Sequence, residues 1–278
     1  MRHQTFNAFW HGAQLSPMHW ACLGSFVERG HRLRLFAYQD VAVPAGVTLE
    51  DARRIMSERE LFEFEKSFSA FSNIFRYKML LEHGGWWVDT DVYCLAEDIA
   101  ECTYAWARQD EDSINGAILR FPAGDATLAR ILRAAEKVGK NVKVWGQIGP
   151  TLLTKHLEGR RFAGHYGSTR DFYPVHWLEP HLFWMRGADA QVVRKCAGAP
   201  FVHLWGSMFS YYGIDVDAAP PEGSFLARIY QGSSFPRSLP SADEARTLVA
   251  IREFLGKRWV RERSRRLIGY DVFEALAA

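Results

Sequence analysis

The stretch SNIFRYKMLLEHGGWWVDTDVYCL at residues 72–95 decides the fold of this chain. Its first half repeats apolar side chains at three- and four-residue steps, which predicts an amphipathic helix that stops at Gly84-Gly85. The aromatic run after the glycines predicts a strand that ends at Asp89 and Asp91. Open α/β sheets bind their ligands at the carboxyl ends of strands, so both acids fall where a ligand is expected.

The pair Asp89 and Asp91 has the spacing of a metal site. In an extended strand the side chains at i and i+2 point to the same face, so both carboxylates can reach one hard divalent cation. Two acids at a strand end can also cap a helix or face water. The helix, the glycine turn and the aromatic strand before them favour the metal.

The sequence outside this stretch predicts a mixed α/β sheet flanked by helices. Strands are expected at residues 5–10 and 31–38, joined by a helix that begins at Ser16-Pro17. Residues 61–81 carry the helical periodicity that leads into the glycine turn. Further elements are expected as strands at residues 104–108 and 116–121 and as helices at residues 126–138, 151–157 and 241–267.

Composition restricts the class of protein. Of 278 residues, 48% are hydrophobic and 24% charged, which excludes disordered and fibrous chains. A net charge of +2 gives no argument for a nucleic-acid partner. The four cysteines lack metal-ligand spacing, and no stretch approaches the roughly 20 apolar residues that cross a bilayer. We therefore expect a cytoplasmic protein with reduced thiols.

From residue 71 to residue 95 the chain resembles glycosyltransferase family 32, the D-x-D sugar transferases related to the glucosylating domain of large clostridial toxins. In that family a Ser-Asp-x-x-Arg-Tyr helix, a Gly-Gly turn and a strand ending in D-x-D follow in order. The resemblance extends over roughly residues 6 to 210 through further motifs, which include Phe9-Trp10-His11-Gly12, Asn115-Gly116, Gly149-Pro150 and His203-Leu204-Trp205.

The resemblance implies a GT-A-type, Rossmann-like fold, and the helical pattern after it predicts a C-terminal helical extension. Residues 1–222 would be the glycosyltransferase domain, and residues 223–278 a connector and basic helix packed on or beside it. It implies a UDP- or GDP-sugar donor, a Mn²⁺ or Mg²⁺ ion, and hexosyl transfer with retention to a glycan or lipid-linked acceptor. The implied setting is bacterial surface polysaccharide assembly.

The candidate site residues follow from the residue types and the matching motifs. The expected metal ligands are Asp89, Asp91 and His203, and the expected donor-binding residues are Trp10, Tyr38, Asn73, Arg76, Asp89, Asn115 and Trp205. Arg76 on an apolar helix needs an anionic ligand or an ion pair with Asp89. Asn73 stands where the family has Asp, and Gln147 is a candidate for the acceptor side. No residue is assigned as the catalytic group.

Three other readings of the chain stay open. A haloacid-dehalogenase-like phosphatase would use Asp89 as nucleophile, but its motif normally opens the domain and needs a later Lys and an acidic pair. A non-catalytic sugar-binding protein would use the aromatic residues without turnover, and an inactive scaffold would keep the fold.

The basic segment KRWVRERSRR, from Lys257 to Arg266, is a solvated helix face or a peripheral contact with an anionic inner membrane.

Overall fold

The computed structural model describes residues 3–160 and 162–277. Its strands are β1 Thr5–Trp10, β2 Arg32–Ala37, β3 Thr48–Asp51, β4 Gly85–Val88, β5 Val92–Cys94, β6 Tyr104–Arg108, β7 Ile114–Phe121, β8 His165–Tyr166 and β9 Phe201–His203. Its α-helices are α1 Pro17–Glu28, α2 Ser69–His83, α3 Ala126–Val138, α4 Pro150–Leu157, α5 Thr169–Phe172, α6 His181–Trp184, α7 Asp189–Lys195, α8 Gly206–Phe209, α9 Phe225–Gly232, α10 Glu244–Leu255, α11 Arg258–Ile268 and α12 Val272–Ala277.

A seven-stranded mixed sheet forms the centre of the molecule, in the order β3-β2-β1-β4-β7-β6-β8. Strands β3, β2, β1 and β4 run parallel, β7 is antiparallel to both β4 and β6, and β8 is parallel to β6. Strands β5 and β9 form a separate antiparallel pair. The predicted mixed sheet flanked by helices, with a C-terminal helical extension, is confirmed.

The two faces of the sheet are covered by different parts of the chain. Successive side chains in a strand alternate between faces, and in β4 this sends Trp86 to one hydrophobic cluster and Trp87 to the other. The cluster with Trp86 includes side chains of α1 and of the C-terminal helices. The cluster with Trp87 includes those of α2, α3 and α4. Both indoles are almost completely buried.

Helix α2 begins later than its periodicity predicts. Glu65 and Lys66 have φ angles of 50° and 60°, and Phe64 and Ser67 exchange two backbone hydrogen bonds of 2.9 and 3.0 Å. This tight turn prevents a continuous helix from residue 61, although Phe64 still packs on the same core as α2. The predicted end at the glycines is correct, because Gly84 takes φ 64° and donates to Leu80 O.

The prediction of one continuous C-terminal helix over residues 241–267 is wrong. The chain breaks at Gly256 and Lys257, which divides the helical region into α10 and α11. Side chains of α9 to α12 belong to the same hydrophobic cluster as Phe6 of β1. Among the described residues, none of the helices is both long enough and apolar enough to span a membrane.

Candidate metal and donor site

The two aspartates lie at the end of β4, where the chain leaves the sheet. Asp89 donates its backbone N–H to Ala117 O of β7 at 2.8 Å, so it still belongs to the sheet. Immediately afterwards β5 pairs with β9, with Val92 opposite His203. The N–H of Leu204 donates to Asp91 O at 2.9 Å. This short antiparallel pair is what brings a histidine from late in the chain to the D-x-D motif.

Asp89 is held by a cation and an indole. Arg76 Nη2 lies 3.0 Å from Asp89 Oδ1, and Trp87 Nε1 donates to the same oxygen at 2.9 Å. The Arg76 guanidinium also donates to Gly116 O and lies 5.2 Å from the centre of the Trp87 ring. Its side chain is 6% exposed, so the ion pair is largely removed from water. The predicted salt bridge between Arg76 and Asp89 is present.

Asp91 is held by partners from the other side of the site. Its Oδ1 lies 3.1 Å from His203 Nε2, and its Oδ2 accepts the Gly206 N–H at 2.8 Å. Burial opposes ionisation of Asp91, but the charge and hydrogen bond of His203, with the Gly206 N–H, keep its pKa below the usual range. Asp91 is therefore a carboxylate at neutral pH.

The neighbouring carboxyl group is shifted in the opposite direction. Burial raises the pKa of Asp89, and the nearby charge of Asp91 adds to this, while Arg76 partly offsets both effects. Two carboxyl groups so close together resist simultaneous ionisation. A divalent cation would remove this repulsion, which is a physical reason for one to bind here.

The donor set fits a divalent metal ion. Asp89, Asp91 and His203 each offer a ligand atom, and these atoms lie within 4.8 Å of one another. Ligands on opposite sides of a Mg²⁺ ion lie roughly 4 Å apart, so a small adjustment would bring all three atoms into contact with one ion. Two carboxylates suit Mg²⁺ or Mn²⁺, and an imidazole suits transition metals. The second nitrogen of the imidazole, His203 Nδ1, is buried without a hydrogen-bond partner among the described residues.

Trp205 lies directly beside this cluster. Its ring centre is 4.1 Å from that of His203. The indole N–H donates to Val175 O at 2.8 Å, and the backbone takes φ 57°, a left-handed conformation that is uncommon outside glycine. The hydrogen bond and the backbone turn hold the ring over the imidazole.

The expected donor-binding residues Trp10 and Tyr38 lie on opposite faces of the sheet. Tyr38 is buried, donates its hydroxyl to Met56 O at 3.0 Å and packs against Phe9. Trp10 is partly buried on the α1 side, with its ring centre 4.5 Å from that of His19. Of the two rings, Trp10 is on the side of Asp91.

The polar candidates Asn73 and Asn115 lie on the side of Asp89. Asn73 packs its amide against the backbone of Gly149, where a Cβ atom would lie 2.9 Å from Nδ2. Asn115 is buried, donates to Gln109 Oε1 at 2.6 Å and accepts the Ala117 N–H at 2.7 Å. Asn115 is the second residue of β7, and both ends of its amide are bonded to residues of this region.

Gln147 belongs to the loop before α4. Its Oε1 accepts the N–H of Lys143 at 2.8 Å, which closes the turn that carries the exposed Trp145. Tyr77 of α2 donates its hydroxyl to Ile148 O at 3.1 Å and ties this loop to the helix of Arg76. Gln147 therefore shapes the loop next to the Asp89 side.

Three residues of the site were not predicted from the sequence. Trp87 holds Asp89, and its position two residues before the acid on the same strand face was an available signal. Gly206 supplies a backbone N–H, and a Cβ atom at this position would lie 3.2 Å from Asp91 Oδ2. His19, near Asp91, has its pKa lowered to about 4, chiefly by burial. Neither Gly206 nor His19 has a local sequence signal.

Comparison with known proteins finds a family match for the part of the chain that contains the D-x-D motif. Residues 37–106 match the family model described as "Glycosyltransferase sugar-binding region containing DXD motif". No curated protein matches the chain. The solved structure titled "PaToxG Glycosyltransferase" is similar at 13% sequence identity, covering 56% of this chain and 70% of that chain, with a TM-score of 0.44.

The matched residues 37–106 contain Arg76 and both aspartates and end well before His203. This part of the chain is thus similar to a DXD sugar-binding region of glycosyltransferases. Together with the Asp-Asp-His cluster, this region fits a metal-dependent glycosyltransferase.

Proposed function

We propose that this protein is a glycosyltransferase that takes its sugar from a UDP- or GDP-sugar with the help of Mn²⁺ or Mg²⁺. The observation that carries the proposal is the cluster of Asp89, Asp91 and His203, whose two aspartates lie in the region that matches the DXD sugar-binding model. A hard cation on two carboxylates is the arrangement that suits a diphosphate ligand.

The chemistry of the donor explains why these side chains are needed. When the bond between the sugar and the diphosphate breaks, the leaving group gains negative charge, and a bound cation supplies Lewis-acid neutralisation of that charge. The protein's part is to fix the ligands. Arg76 and Trp87 hold Asp89 Oδ1, and the Gly206 N–H holds Asp91 Oδ2. Preorganised ligands reduce the reorganisation that the transition state requires.

The finer features of the proposal come from the family 32 resemblance. They are transfer of a hexosyl group with retention, and a glycan or lipid-linked acceptor of surface polysaccharide assembly. Contact with an anionic membrane is proposed only for the start of α11, near Lys257 and Trp259, which are exposed. Further along the helix, Arg266 pairs with Asp112 and Arg261 with Asp271, which reduces the charge available to lipid.

The surroundings of Asp89 favour the transferase over the phosphatase. In that class a nucleophilic aspartate works together with a lysine and a further acidic pair. The described neighbours of the two acids are instead Arg76, Trp87, His203 and Gly206. A histidine beside the second aspartate suits a metal ligand.

Thermal stabilisation by nucleotide and metal tests the proposal. We expect UDP or GDP to raise the Tm of the wild-type protein with Mn²⁺ and much less with EDTA. Asp91→Asn should abolish this shift, because it removes the charge of one ligand while keeping its shape. Asp98→Asn, the same change at an exposed acid outside the cluster, is the matched control.

Two outcomes contradict the proposal. One is a wild-type protein whose Tm responds to neither nucleotide in the presence of Mn²⁺. The other is a metal-dependent shift that survives in Asp91→Asn. Release of phosphate from simple phosphoesters, lost in Asp89→Asn, would favour the phosphatase.

A further inference from the structure

A cavity of about 470 Å³ opens on the side of Asp91. One wall is formed by the end of β1 and the start of α1, with Trp10, Gln14 and His19. The other wall comes from the C-terminal part of the chain, with Asp217 and Arg237. A volume of this size is within the range of small-ligand sites.

The connector strap, defined as residues 233–240, brings Arg237 to the cavity. It is fixed at both ends, because Ser233 O accepts the indole N–H of Trp20 at 3.0 Å and Pro240 O accepts the Ala219 N–H at 2.8 Å. Between these points Ser234 takes φ 52°, a left-handed conformation that costs free energy outside glycine. The connector strap is thus anchored at both ends and has a strained residue, Ser234, next to its first anchor.

Arg237 is bonded to neutral groups. Its Nη1 donates to Gln14 Oε1 at 2.6 Å and its Nη2 to Leu15 O at 3.5 Å. Within residues 3–160 and 162–277 it forms no ion pair, whereas Arg228 pairs with Asp189 at 3.0 Å and Arg261 with Asp271 at 2.8 Å. A guanidinium whose partner is an amide keeps its full charge and can exchange that partner for an anion.

The first turn of α1 connects the cavity to the D-x-D motif. Gly206, which donates to Asp91, packs so closely against Met18 that a Cβ atom there would lie 2.7 Å from Met18 Cε. The next residue, His19, lines the cavity. His19 therefore lies between the D-x-D motif and the cavity that Arg237 lines. Asp217, in the same wall as Arg237, suits hydroxyl groups, which donate hydrogen bonds to carboxylates.

We propose that Arg237 is a phosphate-binding residue of this cavity, and that its guanidinium exchanges Gln14 Oε1 for a phosphate oxygen of the nucleotide donor. The inference rests on the proposed function and adds a cationic ligand from the C-terminal segment. It also makes Gln14 a competitor of the ligand, since the amide and the phosphate use the same donor groups of Arg237.

Nucleotide affinities of two variants test the inference, because one variant should bind more weakly and the other should not. UDP and GDP are titrated calorimetrically with Mn²⁺, and uridine and guanosine serve as uncharged probes. Arg237→Ala should weaken nucleotide binding about tenfold or more, the range for a hydrogen bond to a charged group, and leave nucleoside binding unchanged. Gln14→Ala should bind the nucleotide as tightly as wild type or more tightly, because the competing amide is gone.

Two further variants sharpen the test. Gln14→Glu should weaken nucleotide binding, because a carboxylate would pair with Arg237 and neutralise it. Arg186→Ala is the matched control, since Arg186 is an exposed arginine that pairs with Glu244 and does not line the cavity. It should bind like the wild type.

Each contrary result has a separate meaning. Equal losses in Arg237→Ala and Gln14→Ala would show that the strap contact is only structural, and the inference would be wrong. Unchanged nucleotide binding in Arg237→Ala, or an equal loss for nucleotide and nucleoside, would also overturn it while leaving the proposed function intact. If wild type binds neither nucleotide with Mn²⁺, the proposed function fails, and the inference fails with it.

Discussion

The two halves of the D-x-D motif have different surroundings, although Asp89 and Asp91 are one residue apart. The Asp89 half is built from neighbours in the same stretch, Arg76 and Trp87. The Asp91 half is built from His203, which is 112 positions further along the chain, and from the backbone of Gly206. The Asp89 side chain is 27% exposed and the Asp91 side chain 16% exposed, so exposure does not distinguish them.

The difference lies in the chemistry of the partners. Arg76 is a permanent cation, so Asp89 has its counter-charge with or without a ligand. His203 is an imidazole whose lone pair can bind a metal, and its contact with Asp91 can be replaced by a shared ion. We infer that the Asp89 half positions the motif and the Asp91 half exchanges ligands. The predictions below test this division.

Removal of Arg76 should have the largest effect, and the effect should be on stability. Arg76→Ala leaves Asp89 without its cation and Gly116 O without a donor, which we expect to lower the free energy of unfolding by about 3–5 kcal/mol. Arg76→Lys keeps the charge but loses the fork geometry, so an intermediate loss is expected. Urea denaturation measures both.

The control for Arg76 is another arginine in a long-range ion pair. Arg108 pairs with Glu158 at 2.7 Å, but both side chains are substantially exposed, at 35% and 56%. Exposed pairs contribute roughly 0–1 kcal/mol, so Arg108→Ala should cost little. Equal losses in Arg76→Ala and Arg108→Ala would contradict a positional role for the Asp89 half.

Substitution of His203 should have a smaller effect on stability and a larger one on metal binding. His203→Gln removes the imidazole ligand and the contact with Asp91, and we expect a stability loss of about 1 kcal/mol. The affinity for Mn²⁺ should fall by about tenfold or more, since even outer-shell partners of metal ligands contribute that much. Electron paramagnetic resonance of free Mn²⁺ gives the affinity.

His176 provides the matched comparison for His203. It is also buried, it lies outside the cluster, and its Nδ1 accepts the N–H of Leu178 at 3.2 Å. His176→Gln should therefore reduce stability without changing Mn²⁺ affinity. If His203→Gln binds Mn²⁺ as well as His176→Gln does, the exchangeable role of the Asp91 half is wrong.

The same division explains how far the sequence predicts the site. The Asp89 half is local: helical spacing predicts that Arg76 faces the core, and burial of a guanidinium requires an acid such as Asp89. The Asp91 half depends on the pairing of β5 with β9, which no local pattern specifies. His203 was predicted from its His-Leu-Trp motif. The contact of Gly206 was not predicted, because its donor is a backbone N–H and no side chain marks it in the sequence.

The errors in the fold have a related origin. Periodicity records which side chains face the core but not where the backbone turns. Phe64 fits the apolar stripe of α2 and packs on the same core. The left-handed residues Glu65 and Lys66 nevertheless separate it from the helix, which begins only after them. The break between α10 and α11 at Gly256 likewise falls inside a continuous helical pattern.

The smallest expected effect is a difference in how the two halves respond to acid. Burial lowers the pKa of His176 and of His181 to about 4, from an ordinary value of 6.5, so both are neutral in the folded protein at pH 5. Below pH 6.5 the unfolded chain binds protons that the folded chain does not, and stability falls progressively towards pH 4. Asp89 behaves oppositely, because its raised pKa means that the folded state takes up the proton more readily.

Hydrogen exchange between pH 7 and pH 5 can resolve this difference. Both histidines lie in the segment that supports the Asp91 half, where Val175 O accepts the Trp205 indole N–H and the His181 ring stacks on Tyr212. Amides of β9 should therefore lose more protection than those of α2 once intrinsic exchange rates are corrected. In His181→Phe, which keeps a ring against Tyr212 and cannot titrate, the difference should shrink. An equal loss in β9 and α2 would mean that acid acts on the fold as a whole, and the two halves would then not be separable by charge.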